Sequence, residues 1–140
     1  MPALSPRLAL AGALAVLVFT LGAASGTAQP TVKGAAVRVI ALPKMDGANL
    51  KVHAIQVTYP PGATSSAHRH PCPVIGYMIS GTMRMQVSDQ APAEYKPGDT
   101  FVEMPTDVHR VGTNPSPDTP AVFLATFVCD KDTPLSIPER

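Results

Sequence analysis

The chain has 140 residues, with 11 Lys+Arg against 10 Asp+Glu, 16 Pro, 10 Gly, 2 Cys and no Trp. One domain is the default at this length, and a formal charge of +1 without any long basic run excludes the concentrated positive footprint of a nucleic-acid binder. Charged residues at 15% and hydrophobic residues at 45% exclude an intrinsically disordered chain, and prolines scattered along the whole length exclude a long-helix protein.

At the N-terminus a single cation, Arg7, precedes an apolar run from Leu8 to about Leu21, and small residues follow as far as Gly26-Thr27-Ala28. That order of basic, apolar and small-residue regions predicts a secretory signal peptide over residues 1–28. The run is short of the roughly 20 residues that a membrane span needs, and no stop-transfer charges follow it, which ranks cleavage ahead of an uncleaved anchor. Residues 29–140 then form a single exported domain, periplasmic or extracellular, with no membrane attachment. Loss of Arg7 from the 11 cations leaves it 10 against 10 anions. In an oxidising compartment, Cys72 and Cys129 form an even pair. A disulfide ranks slightly ahead of two buried free thiols, and a metal-ligand role for Cys72 ranks well behind.

Val37–Leu42 is the first expected strand, before the turn-rich Met45–Asn49. Leu50–Tyr59 has strand composition and stops at Pro60-Pro61-Gly62. Val74–Ile79 is the next strand, and Ser80-Gly81-Thr82 turns it into Met83–Val87, whose Met-Arg-Met-Gln-Val alternation is the period-2 pattern of a strand with one buried face. Tyr95–Asp99 is a tight turn into Thr100–Met104, and after Pro105-Thr106-Asp107 the chain resumes as Val108–Gly112. Ala121–Cys129 is almost wholly apolar, so both of its faces are expected to be covered. No segment holds a 3.6-residue period. Six to eight short strands between Gly/Pro turns predict an all-β sandwich or barrel.

Chemistry concentrates at His68-Arg69-His70 and at His109. On a strand, residues i and i+2 share a face, so two imidazoles stand side by side and can chelate one ion. Imidazole suits zinc, copper, nickel and ferrous iron. By itself a His-x-His step is also what two ordinary polar strand residues look like. The surroundings carry more. Gly62 lies six positions before His68, Gly81 lies eleven after His70, and Gly98 lies eleven before His109, with Asn114 beyond.

This pattern resembles the two motifs of the cupin superfamily. The first runs Gly, five residues, His-x-His, three or four residues, Glu, six residues, Gly. The second runs Gly, five residues, Pro-x-Gly, two residues, His, three residues, Asn. Gly62, His68, His70 and Gly81 match the first, and the Gly98-to-His109 distance matches the second. Pro105 and Asn114 are each displaced by one residue, the second motif's inner Gly is absent, and Val74 occupies the place of the motif carboxylate. The resemblance implies a conical antiparallel β-barrel, a double-stranded β-helix or jelly roll, with His68, His70 and His109 as ligands of a divalent metal. Iron(II) is the favoured ion, with Mn, Ni and Zn as alternatives, and the partners are a small-molecule ligand and, as in other small cupins, a second copy in a homodimer.

Without the motif carboxylate, three neutral imidazoles leave a dication its full charge, which favours anionic oxygen ligands in the remaining positions. Some three-histidine cupins, a diketone-cleaving dioxygenase among them, keep a Glu near the metal six residues before the last His, the spacing of Glu103 to His109. Glu103 is therefore a candidate replacement ligand, a candidate group orienting water or a histidine beside the metal, or a solvated strand charge. Tyr77 is a weaker candidate for a hydroxyl in the cavity, against core packing. His53 reads as structural, and Arg69 is expected on the face opposite its two histidine neighbours. Two functions follow. One is an iron(II)-dependent, dioxygenase-like enzyme acting on a small oxygen-rich substrate, and the other is a non-catalytic exported cupin that binds a metal or a small ligand.

Overall fold

The computed structural model describes residues 34–140, and the signal peptide expected over residues 1–28 lies outside them. The described residues form no helix. Their strands are β1 (Lys51–Tyr59), β2 (Thr64–Ser65), β3 (His68–Arg69), β4 (Val74–Ser80), β5 (Met83–Val87), β6 (Ala93–Tyr95), β7 (Thr100–Glu103), β8 (His109–Thr113), β9 (Ala121–Cys129) and β10 (Ile137–Pro138). One sheet has the order β1-β9-β4-β7; the other runs β10-β3-β8-β5-β6, with β2 also paired to β8. Every ladder is antiparallel.

The core lies between the sheets. Val74 and Met78 on β4, Phe101 on β7 and Ala121, Phe123, Ala125 and Phe127 on β9 pack with Met83 and Met85 of β5 from the other sheet. The Met-Arg-Met alternation buries both methionines fully and leaves Arg84 exposed, as a period of two requires. Non-consecutive strands side by side, as in β1-β9-β4-β7, make this an all-β jelly roll.

Two glycines set close approaches. Gly81 turns β4 into β5 at φ +70°, and a Cβ there would lie 2.4 Å from the carbonyl oxygen of Pro120. Gly76, in the middle of β4, lets the ring of Phe101 cross the strand where a Cβ would meet it at 2.0–2.4 Å. Asn114 is fully buried. Its Nδ2 donates to the carbonyls of Tyr59, Pro60 and Thr119, and its Oδ1 accepts from the Ser116 amide, which ties the end of β8 to the end of β1.

Three expectations change. Val37–Leu42 forms no strand: Val37 and Val39 are 64% and 83% exposed, and strand composition makes no ladder without a partner edge. Ala121–Cys129 is not covered on both faces. Alternate residues are buried and Leu124 is 37% exposed, because this sheet has the core on one side only. Tyr77 is 42% exposed on the outer face of β4, between the buried Gly76 and Met78, so its hydroxyl does not enter the barrel. Cys72 and Cys129 are joined in a disulfide that clips the segment between β3 and β4 to the end of β9.

Candidate metal centre

β3 and β8 pair through His68 and His109, so the two rings stand across a ladder with centroids 5.0 Å apart. His70 follows β3 by one residue and returns to the same side, its ring 4.9 Å from that of His68 and edge-on to Phe127 at 5.2 Å. One ring nitrogen from each histidine lies within 4.8 Å of the others. A point equidistant from three atoms at that spacing is about 2.8 Å from each, so ring movements of less than about 1 Å reach the usual metal–imidazole distance.

His109 owes its aim to a β-bulge. Gln86 faces Val111 and Val87 faces His109, which leaves Arg110 as an extra residue on β8. His109 and Gly112, three apart, are consequently both buried, where unbroken alternation would have separated their faces. The same extra residue accounts for Asn114 lying one position later than the motif requires. Ser88 holds the bulge from outside. Its φ is +51°, its amide donates to the Val108 carbonyl, and its carbonyl accepts from Arg110 Nε. The turn before β8 is closed by Asp107, whose Oδ2 accepts from the Met104 amide.

Glu103 enters from the opposite sheet. It is 3% exposed at the end of β7, which rules out a solvated strand charge. Its register partner is Val74, so the carboxylate missing from the motif position on β4 is supplied by the residue directly across the ladder. Oε1 lies 3.1 Å from His109 Nδ1 and Oε2 lies 3.0 Å from His70 Nε2. Burial pushes the Glu103 carboxyl up, but the facing rings of His109 and His70 outweigh it and hold it at about 2. Burial likewise pushes His70 down, and Glu103 with the Leu135 carbonyl more than reverses this, leaving it raised. His68 is lowered, chiefly by burial.

The hydrogen bonds assign the ring nitrogens. His68 Nδ1 donates to the Ser66 carbonyl at 2.8 Å and His70 Nδ1 to the Leu135 carbonyl at 2.6 Å. His109 Nδ1 faces the ionised Glu103 and carries the proton for the same reason. Nε2 is then the free nitrogen of His68 and His109, while His70 Nε2 faces Glu103 Oε2 and, in the charged ring, holds a proton toward it that a cation would replace. His109 Nε2 and Glu103 Oε2 are buried without a hydrogen-bond partner, a costly arrangement in a packed interior. Gly112 leaves room beside that nitrogen, since a Cβ there would stand 3.1 Å from it. Three converging imidazoles and a carboxylate, two of the atoms orphaned, are a donor set that fits a divalent cation.

The expected ligands His68, His70 and His109 are thus brought together, with Glu103 against two of them. Arg69 points away and pairs with Glu139. Gly112 and Leu135 were not expected at the site. An isolated glycine inside a strand is the one signal that marks the first, and the Leu135 carbonyl leaves none, since any residue type supplies one.

A jelly roll with three converging histidines defines a class, and sequence comparison gives it a family. The profile of the cupin domain matches residues 55–127, and the chain belongs to the cupin family. No curated protein matches it. Among solved structures it is similar to the DMSP lyase DddQ from Ruegeria pomeroyi DSS-3 at 23% identity and a TM-score of 0.55, over 62% of this chain and 42% of that one. It is similar to a Bacillus subtilis oxalate decarboxylase at 29% identity and a TM-score of 0.53, over 62% of this chain and 23% of the other. It also resembles an uncharacterised Klebsiella pneumoniae subsp. pneumoniae MGH 78578 protein with a double-stranded β-helix domain, at 22% identity and a TM-score of 0.53, over 64% and 76% of the two chains. The chain therefore spans less than half the length of either enzyme.

Proposed function

We propose that the protein is a mononuclear metallocupin that holds a divalent ion on His68, His70 and His109 and acts on a small, oxygen-rich, anionic substrate. The observation that carries this reading is the orphaned pair, His109 Nε2 and Glu103 Oε2, buried beside the converging rings of His68 and His70. Iron(II) is the ion proposed, with a dioxygenase-like reaction. Bound there, the ion supplies a Lewis-acidic centre with positions left for substrate oxygen. Glu103 keeps its charge across the physiological range, orients His109 through Nδ1, and offsets one positive charge at the centre. Leu135 and Ser66 fix the tautomers of His70 and His68. Phe127 closes one side of His70 against water. The likeness to an oxalate decarboxylase is in keeping with a small carboxylate as substrate.

A second reading, a non-catalytic metal-binding cupin, is favoured by the closure of the site: His70 and His109 are 9% and 4% exposed. Export is also proposed, supported by the leader-like first 28 residues and by the Cys72–Cys129 disulfide. Pairing of two copies is proposed from the uncharged outer face of β4 and β9, where Tyr77, Ile79 and Leu124 are exposed, and a solution mass of one chain would refute it.

The test is the metal content of residues 29–140 purified without chelators or affinity-column metal, beside His68→Ala and His109→Ala. Near one equivalent in the parent and loss in both variants is the expected result. A parent that stays empty after anaerobic loading with iron(II) refutes the metal centre. Dioxygen uptake with a panel of small carboxylates and diketones then separates the enzyme from the binding protein.

A further inference from the structure

We propose that the C-terminal segment, residues 133–139, is a strap that positions the His68–His70 ligand segment, with the Arg69–Glu139 ion pair as its latch. The inference rests on reading the three histidines as a metal centre, and it concerns how that centre is held.

β3 supplies two of the three ligands, yet it is two residues long and meets β8 through one register pair, His68 with His109. Its hold on the rest of that sheet is therefore slight, because a two-residue strand with one neighbour has few ladder bonds to resist fraying. The strap gives β3 a second neighbour. Ile137 pairs with Arg69 and Pro138 with His68, and the Glu139 amide donates to the Ala67 carbonyl at 3.0 Å. Proline is tolerated at this position because β10 is the outermost strand of its sheet.

Two further contacts join the strap to the ligands. Arg69, whose side chain points away from the site, donates from Nε and Nη2 to Glu139 Oε2 at 2.8 and 2.6 Å. The Leu135 carbonyl accepts the Nδ1 proton of His70, and the Leu135 side chain packs against the buried core, which fixes where that carbonyl stands. With Nδ1–H committed, Nε2 is the nitrogen of His70 left to face Glu103 and to turn to a cation. Without the strap Nδ1 would lose its fixed acceptor, and either ring nitrogen could carry the single proton of the neutral ring. The end of the chain therefore selects the His70 tautomer from 65 residues away. Outer partners of this kind typically set 10- to 100-fold of metal affinity.

The experiment uses residues 29–140 with cobalt(II) as the probe. Affinity is measured by competition with a chromophoric chelator, and the visible cobalt spectrum reports ligand geometry. The variants are a chain ending at Asp132, Arg69→Glu, Glu139→Arg and the double charge reversal, with thermal melting of each metal-free form. The truncated chain is expected to bind about 10- to 100-fold more weakly with an altered spectrum. Each single reversal is expected to weaken binding about threefold, and the double reversal to restore the parent value within about twofold, on the scale of an exposed ion pair. Metal-free melting of the reversal variants is expected to match the parent, which separates positioning from general stability.

A folded truncated chain with the parent's affinity and spectrum overturns the proposal. Should the truncated chain not fold, single reversals that bind as tightly as the parent overturn it. A parent that binds no cobalt refutes the metal centre itself, and the strap's role with it.

Discussion

Glu103→Gln removes one charge from the site and almost no volume. In the metal-free protein the Glu103 carboxyl is held at about 2 against its ordinary 4.5, which corresponds to roughly 3 kcal/mol of folding stability. The folded value is depressed, so this contribution is present above pH 4.5 and is lost as pH falls from there toward 2. His70 moves the other way. Its folded value is raised, so its contribution is complete below its unfolded value of about 6.5 and is lost as pH rises through the folded one. The difference in stability between parent and variant therefore peaks between about pH 4.5 and 6.5 and shrinks on both sides. His68 is lowered mainly by burial, an effect that both proteins share, and it largely cancels in the difference. For a domain of this size the peak corresponds to a melting difference of roughly 10–15 °C. The assay is thermal unfolding of both proteins in chelator, followed by circular dichroism from pH 3 to 8. A flat difference across that range would refute the claim that an ionised Glu103 engages the histidines.

Other outcomes follow from the same geometry. Replacing both Cys72 and Cys129 by Ala opens a link across 57 residues, and the loop entropy released to the unfolded chain is worth about 4 kcal/mol, to be read as a drop in the urea midpoint of the metal-free protein. Gly76→Ala puts a methyl 2.0–2.4 Å from the buried Phe101 ring and is expected to destabilise by about 1–3 kcal/mol in the same assay. Gly112→Ala places its methyl 2.7 Å from Ser65 Oγ, a side-chain end that can turn aside, and 3.1 Å from His109 Nε2, so it is expected to weaken cobalt binding several-fold while changing the urea midpoint less than Gly76→Ala does. Metal retention should fall as pH drops, because protons compete with the metal for the imidazole nitrogens, and dialysis against buffers from pH 8 to 5 measures it. Retention that does not depend on pH would exclude histidine ligation.

How far the sequence reaches is clearest at single residues. The alternation of Met83-Arg84-Met85 was enough to place two methionines in the core, since side-chain direction within a strand is a local property. The same locality put His68 and His70 on one face with Arg69 opposite, and Gly/Pro spacing marked most of the strand ends. Beyond the strand, register decides. Nothing in the order of residues shows that Val74 faces Glu103, yet that pairing returns a carboxylate to the site. The bulge at Arg110 reverses the parity of β8, so period-2 counting from His109 misplaces Gly112. Val37–Leu42 has the composition of a strand and pairs with nothing among the described residues, while Ile137–Pro138, with a proline in it, completes a sheet. The sequence by itself determined the all-β class, because that follows from short-range spacing, and it pointed to the three histidines through the cupin resemblance. Which carboxylate joins them, which carbonyl sets the His70 tautomer and whether Cys72 meets Cys129 were decided only by the tertiary structure, because each depends on how segments tens of residues apart are laid side by side.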